Sequence, residues 1–147
     1  VFWVDSSGQH GLIAATADQS IGIQWYNGIY RVTNATGDGI GAGKMNTMLI
    51  IAMQTNDNTA GNFAAKVCAD YSVTVDGVTY GDWYLPSKYE LNLLYQQRSI
   101  VGGFSSGFYW SSTEYFSYDA WAQYFANDDQ DYYDKATTFY VRAVRAF

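Results

Sequence analysis

Aromatic and acidic side chains crowd the last third of this chain, between Phe108 and Tyr140, and Lys135 is the only basic residue among them. Tyrosine offers a large, stiff, amphipathic contact at low entropic cost, while aspartate, serine and asparagine offer adaptable hydrogen bonds. The segment holds more rings than one small core needs. Its composition therefore predicts a binding face that recognises a partner without covalent chemistry.

Residues that could do catalytic or metal chemistry are few. The single histidine, His10, lies in a turn-like stretch, and the lone Cys68 lies in an apolar run typical of a buried thiol. Calcium could use the carboxylates of Asp128–Asp134, but the spacing, central glycine and terminal glutamate of an EF-hand loop are missing. We therefore expect no enzyme, no cofactor, no catalytic residue and no metal ligand. The acidic stretch is interpreted as a solvated loop or as part of the binding face.

Composition limits the class of protein and the class of partner. The 147 residues are 48% hydrophobic and 15% charged, which predicts one folded domain spanning residues 1–147. A net charge of −6 argues against nucleic acid and against contact with anionic membranes, because both require clustered lysine and arginine. The chain begins with Val1 inside an apparent strand, so we expect any export signal or anchor to lie upstream.

Hydrophobic periodicity predicts strands at both ends of the chain and helices between them. Helical spacing covers about 44–54 and 64–71, and Ser87–Glu90 is a capping box that opens a third helix. Strands and hairpins are predicted at 1–15, 21–30, 73–80, 108–110, 120–126 and 139–147. This order is typical of an α+β domain whose terminal strands pair in one sheet.

Period-two alternation separates the residues of the strand at 120–126 into two sets. Trp121, Gln123 and Phe125 share one face, and Ala122, Tyr124 and Ala126 share the other. We expect the first set to point into the core, with Tyr109 and Trp110, and the second to face solvent.

Two further expectations concern the tyrosines beside aspartates and the arginines near the C-terminus. Burial of Tyr132 and Tyr133 would bury the flanking aspartates at high cost, so both rings are expected to be exposed. Arg142 and Arg145 are expected to make structural salt bridges or carbonyl contacts.

Three blocks of sequence carry a resemblance to a known family: Gly81–Leu91; Tyr109–Glu114, followed by Ala120 and Trp121; and Val141–Arg145. They resemble a bacterial C-type-lectin-like family that includes the C-terminal domain of a collagen-like adhesin and the variable proteins of diversity-generating retroelements. The resemblance implies a C-type lectin fold, with paired N- and C-terminal strands and helices on a mixed antiparallel sheet. The calcium- and sugar-binding tripeptides of ordinary C-type lectins are absent, as are the paired cysteines of formylglycine-generating enzymes.

The retroelement branch implies a binding surface whose residues are rewritten by adenine mutagenesis. Changing the adenines of the asparagine codon AAC can give Tyr, Phe, Asp or Ala, but never Trp, Gln, Lys or Glu. Between Tyr115 and Tyr140, the unreachable types are Trp121, Gln123, Gln130 and Lys135. The candidate ligand-binding residues are Tyr115, Phe116, Tyr118, Asp119, Ala122, Tyr124, Ala126, Asp129, Asp131, Tyr132, Tyr133, Asp134, Ala136, Phe139 and Tyr140.

The resemblance leaves two functional hypotheses open. The first is a non-enzymatic display domain at a cell surface or on a virion, whose hypervariable segment at about 115–140 binds a protein or cell-surface ligand. The alternative is an adhesin lectin that binds a surface glycan through stacking of Tyr or Trp on sugar rings.

Overall fold

The computed structural model describes all 147 residues. The strands and helices run in chain order as β1 (Trp3–Val4), β2 (Gly11–Ala14), β3 (Ser20–Gln24), α1 (Ala42–Gln54), α2 (Ala64–Ala69), β4 (Val73–Val75), β5 (Val78–Tyr80), α3 (Lys88–Gln96), α4 (Arg98–Val101), β6 (Phe108–Glu114), β7 (Asp119–Tyr124), β8 (Gln130–Asp134), β9 (Thr138–Val141) and β10 (Val144–Ala146). None of the helices combines the length and the apolar character needed to cross a membrane.

The strands form three sheets, in the orders β1-β2-β10, β3-β9-β6-β7-β8 and β4-β5. All pairs are antiparallel except β6 with β9, which makes the five-stranded sheet mixed. Gly11 and Phe147 exchange backbone hydrogen bonds of 3.0 Å, so the C-terminal strand closes against the N-terminal hairpin. The predicted α+β architecture is confirmed, and the terminal strands pair as expected.

The predicted single strand at 139–147 is instead two strands that belong to different sheets. The chain passes from one sheet to the other at Arg142, whose side chain is buried. Its Nε donates to Asp18 Oδ1 at 2.7 Å, and its Nη1 donates to the carbonyl of Ala15 at 3.0 Å. A buried guanidinium must satisfy its donors, and these acceptors do so where the strand breaks. The expected structural role of Arg142 is thus confirmed.

Two hydrophobic cores lie on opposite faces of the five-stranded sheet. The first includes Ile50 of α1, Ala64 of α2 and Trp110 of β6. The second includes Leu91 of α3 and Tyr109 of β6. Strands β6 and β7 are therefore covered on both sides along much of their length.

With both faces covered, the prediction for the strand at 120–126 is wrong at Ala122 and Trp121, whereas Gln123 and Phe125 are buried as expected. Ala122 is 1% exposed and packs in the first core, whereas Phe125 packs in the second. Trp121, expected in the core, is only half-buried at the rim of the sheet. The alternation of apolar and polar residues identifies the buried face of a strand only when the other face is exposed to solvent. Here both faces of β7 are covered, because α3 packs on the face opposite the first core.

The start of α3 is fastened to the start of α1 by the buried carboxylate of Glu90. The predicted capping box is present, with Ser87 N–H donating to Glu90 Oε2 at 2.9 Å. The other carboxylate oxygen accepts the N–H of Gly41 at 2.7 Å. Burial raises the pKa of Glu90, while these hydrogen bonds oppose that shift. Gly43 lies directly against this junction.

We predict that Gly43→Ala destabilises the protein, although alanine is the better helix former by about 1 kcal/mol. A Cβ at Gly43 would lie 2.7 Å from the Ser87 nitrogen and 2.8 Å from the Leu85 carbonyl oxygen. The added Cβ contacts backbone atoms, which can move only if the whole segment before α3 shifts. The free energy of unfolding should therefore fall by about 1–3 kcal/mol in a urea titration.

The matched control is Gly81→Ala, where an added Cβ meets nothing within 4 Å. It should change the free energy of unfolding by less than about 0.5 kcal/mol. Equal stability of the two variants would contradict the tight contact between α1 and the start of α3.

Candidate binding surface

Aromatic side chains gather on one exposed surface, which we name the tyrosine face. It consists of Tyr30, Tyr115, Phe116, Tyr118, Trp121 and Tyr132. The turn from β6 to β7 supplies three of these rings, and β7 and β8 supply one each. Phe116 is 63% exposed and Tyr118 is 58% exposed. Rings this open on a stable sheet are typical of an interaction surface.

The centre of the tyrosine face is a stack of two rings. The ring centroids of Tyr115 and Tyr132 lie 3.9 Å apart and the rings are nearly parallel, at 7°. Trp121 stands perpendicular to both, at 5.8 Å and 5.6 Å. The Nζ atom of Lys88, from the first residue of α3, lies 3.6 Å from the centroid of the Trp121 ring. These contacts hold the rings in place, so part of the entropy cost of binding is met before a ligand arrives.

A tyrosine far away in sequence completes the tyrosine face. The ring of Tyr30 lies 4.9 Å from that of Tyr118, and its hydroxyl donates to Asp134 Oδ1 at 2.7 Å. That hydrogen bond raises the pKa of Tyr30. The sequence offered no local signal for this residue, because its partners lie more than 80 positions later in the chain.

Beneath the tyrosine face lies a buried ion pair. Lys135 Nζ contacts Glu114 Oε1 at 2.6 Å, and both side chains are almost fully buried. Burial lowers the pKa of Lys135, and the hydrogen bond that Lys135 donates to Glu114 opposes that shift. A buried pair of this kind persists only if its remaining donors and acceptors are also satisfied.

The ion pair meets that condition through the backbone of the surrounding loops. Glu114 accepts the N–H of Thr33 at 2.9 Å, and its second oxygen accepts the N–H of Asn34 at 3.0 Å. Lys135 Nζ also donates to the carbonyl oxygens of Ser117, at 3.0 Å, and Arg31, at 2.9 Å. The pair thus joins the β6–β7 turn, β8 and the loop that carries Tyr30. It positions the backbone from which the exposed rings project.

The fifteen candidate residues divide by exposure. Eight are exposed: Tyr115, Phe116, Tyr118, Ala126, Asp129, Asp131, Tyr132 and Asp134. Six are half-buried: Asp119, Tyr124, Tyr133, Ala136, Phe139 and Tyr140. Ala122 is buried, so the expectation that it faces solvent is wrong.

Several half-buried rings pack into the molecule. Tyr133 and Phe139 contact the first core, and Tyr140 contacts the second. Tyr124 stacks on Phe108 with centroids 4.5 Å apart. For these four candidates packing is a visible role, and the surface that they offer a ligand is reduced.

The acidic stretch is a loop only at Asp128 and Asp129, and its remainder is a strand. Gln130–Asp134 forms β8, which pairs with β7 at the edge of the sheet. Successive residues of a strand point to opposite faces, so Tyr132 is exposed while Tyr133 turns toward the first core. The joint exposure expected for this pair is therefore wrong for Tyr133. The aspartates escape burial because β8 is an edge strand.

The residue types that adenine mutagenesis of AAC cannot produce all make contacts within the fold. Gln123 is buried, and its Nε2 donates to Asn92 at 3.0 Å. Gln130 Nε2 donates to the Lys88 carbonyl oxygen at 2.9 Å. Lys135 forms the buried ion pair, and Trp121 packs with Lys88 and the stacked tyrosines.

No group of three or more His, Cys, Asp or Glu side chains is arranged to hold a metal ion. Cys68 is fully buried, and burial raises the pKa of its thiol well above the usual value, as expected for a structural cysteine. Arg145 pairs with Asp82 on another part of the surface. The side chains of the tyrosine face itself are aromatic rings and phenol hydroxyls, which can make aromatic contacts and hydrogen bonds.

Comparison with known proteins gives one family. The model of the family described as the Lcl C-terminal domain matches residues 14–145. It is a C-type-lectin-like domain found in variable proteins of diversity-generating retroelements. The search of curated proteins found no match to the chain.

We predict that Lys135→Met lowers the free energy of unfolding by about 3–5 kcal/mol, because it leaves the Glu114 carboxylate buried without its cation. Denaturant unfolding followed by tryptophan fluorescence measures the change. The double variant Glu114→Gln and Lys135→Met should lose less free energy of unfolding than the sum of the two single variants. Each single change leaves one buried charge unpaired, whereas the double variant has no charge left at this site.

Lys66→Met is the control, since Lys66 pairs with Asp70 on the surface. It should cost less than about 0.5 kcal/mol. A loss at Lys135 no larger than at Lys66 would mean that the buried pair does not hold the loops.

Proposed function

The chain belongs to the Lcl C-terminal domain family, a C-type-lectin-like family, and from this premise we propose that it is a non-enzymatic display domain. Its exposed residues between Tyr115 and Asp134, together with Tyr30, bind a protein or cell-surface ligand. The domain acts at a cell surface or on a virion.

The observation that carries this proposal is the separation of exposed rings from the residues that hold them. Tyr115 and Tyr132 contact each other and solvent, whereas Glu114 and Lys135 are buried one residue or a few residues away. A frame satisfied by its own buried contacts tolerates changes in side chains that point outward. Such a division is what a display scaffold requires, because the ligand-contacting residues change while the fold persists.

We further propose that adenine mutagenesis by a retroelement writes the exposed residues. All eight exposed candidates are types that AAC codons can reach. The unreachable types, Trp121, Gln123, Gln130 and Lys135, make contacts within the fold. Mutagenesis confined to positions encoded by AAC in the template therefore leaves these four residues, which make contacts within the fold, unchanged.

Glycan recognition is the alternative. Both stacked tyrosines, Tyr115 and Tyr132, are partly open and could pack on sugar rings, whereas Trp121 is already engaged by Lys88 and by the tyrosine edges. A glycan array decides between the two. Specific binding of one glycan class that Tyr132→Ala abolishes would favour the lectin and overturn a protein ligand.

Randomising the exposed positions should leave the domain folded. A library with Tyr115, Phe116, Tyr118, Ala126, Asp129, Asp131 and Tyr132 varied together should give soluble clones, most of which melt within about 10 °C of the parent, because few contacts are lost. Panning it against several unrelated proteins should return binders. Thermal melting and binding assays of individual clones measure both outcomes.

The control library varies Ala122, Tyr124, Tyr133, Phe139 and Tyr140, which are buried or half-buried. Most of its clones should be insoluble or lose several kcal/mol, since large buried side chains cost about 2–5 kcal/mol each when truncated. If the two libraries fold equally badly, the exposed set is part of the frame and the proposal is wrong.

The genome that encodes the chain should carry the mark of diversification. We expect a near-copy of the DNA for about Tyr109–Phe147 beside a reverse transcriptase gene, differing almost only at adenines. The differences should concentrate in the codons of exposed residues and leave those of Trp121 and Lys135 unchanged. Differences spread over all four bases would contradict retroelement diversification and leave the binding role to be tested separately.

A further inference from the structure

Two aspartates face each other across the strands that carry the tyrosine face. Asp119 of β7 is directly opposite Asp134 of β8. The N–H of Lys135 donates to the carbonyl of Tyr118 at 2.8 Å, which makes 118 and 135 a hydrogen-bonded pair. The neighbouring pair, Asp119 with Asp134, is therefore a non-hydrogen-bonded pair, in which opposite side chains approach most closely. Like charges placed directly opposite each other destabilise a sheet.

Neither member of this pair takes part in a salt bridge. The five salt bridges of the structure use other carboxylates, and none includes Asp119 or Asp134. The charge of Lys135 attracts Asp119, but Lys135 is buried and its salt bridge is with Glu114. Asp134 accepts only from neutral donors, the Tyr30 hydroxyl at 2.7 Å and the Ala136 N–H at 2.8 Å. The charge of the pair is left for something outside the chain.

The rings beside this pair suit a cation. Tyr30 donates to Asp134, and its ring lies 4.9 Å from that of Tyr118 at an angle of 59°. Aromatic faces attract ammonium and guanidinium groups, most strongly where water is excluded. The tyrosine face already holds one cation in this way, because Lys88 Nζ lies over Trp121. Elsewhere on the strand Asp131 is exposed, so the surrounding charge is negative as well.

We propose that the ligand of the tyrosine face is a basic protein segment that places an arginine or lysine side chain between Asp119, Asp134, Tyr30 and Tyr118. This proposal rests on the proposed function and names the chemistry of the partner. A guanidinium donates to carboxylate oxygens in a planar fork and stacks on aromatic rings, so arginine fits this subsite better than lysine. The net charge of −6 would speed the encounter with such a partner.

A random dodecapeptide phage library panned on the wild-type chain tests the proposal. Selected peptides should be enriched in arginine and lysine over the unselected library. Their affinity should fall about tenfold or more in the double variant Asp119→Asn and Asp134→Asn, because the subsite then loses both charges. Asn keeps an oxygen for the Tyr30 hydroxyl, and a thermal melt checks that the variant is folded.

Asp76→Asn is the matched control, since Asp76 is exposed in the β4–β5 turn, away from the tyrosine face. It removes charge without touching the subsite and should change affinity less than about twofold. Peptides that bind the double variant and the wild type equally, or that show no basic enrichment, overturn the inference. Peptides whose binding also ignores Tyr118→Ala and Tyr132→Ala do not use the tyrosine face, and that result counts against the proposed function itself.

Discussion

The buried contact between Glu114 and Lys135 is the interaction on which the display of the tyrosine face depends. Each charge sits in the interior, where it is tolerable only because the other is there and because backbone groups satisfy the remaining hydrogen bonds. Those backbone groups belong to loops that no sheet ladder fixes. The pair therefore converts two irregular segments into one defined support, from which the rings of Tyr30, Tyr115 and Tyr118 project.

Binding surfaces usually trade stability against adaptability, and this fold separates the two by burial. Residues such as Gln123 and Lys135 are held by contacts with the frame, whereas Phe116 and Tyr118 are largely exposed. The stack of Tyr115 on Tyr132 lowers the freedom of both rings without burying them. Such rings keep adhesive area exposed and lose little further entropy when a ligand covers them.

The negative charge of this surface favours a cationic partner, a preference that shape alone would not create. Asp119 and Asp134 repel each other across two strands, and neither takes part in a salt bridge. A structural role would favour a neutral or oppositely charged pair at such a position. Repulsion tolerated in the free protein is relieved when a cation binds, so the same feature that weakens the sheet strengthens the complex.

Local chemistry was enough to determine several features from the sequence alone. Helix periodicity, the capping box at Ser87 and the Asp-Gly turn gave the elements, and the order of elements gave the α+β class. The family resemblance pointed to the same fold.

Which tyrosines face outward was decided only by tertiary structure. Alternation placed Ala122 outside and Trp121 inside, and the structure has Ala122 buried and Trp121 half-buried, because both faces of β7 are covered: Ala122 packs in the first core, and α3 with the second core lies on the other face. Likewise, no local pattern predicts that Tyr30 contacts Tyr118 or that Glu114 pairs with Lys135, because these contacts join residues far apart in the chain and form only when the chain packs.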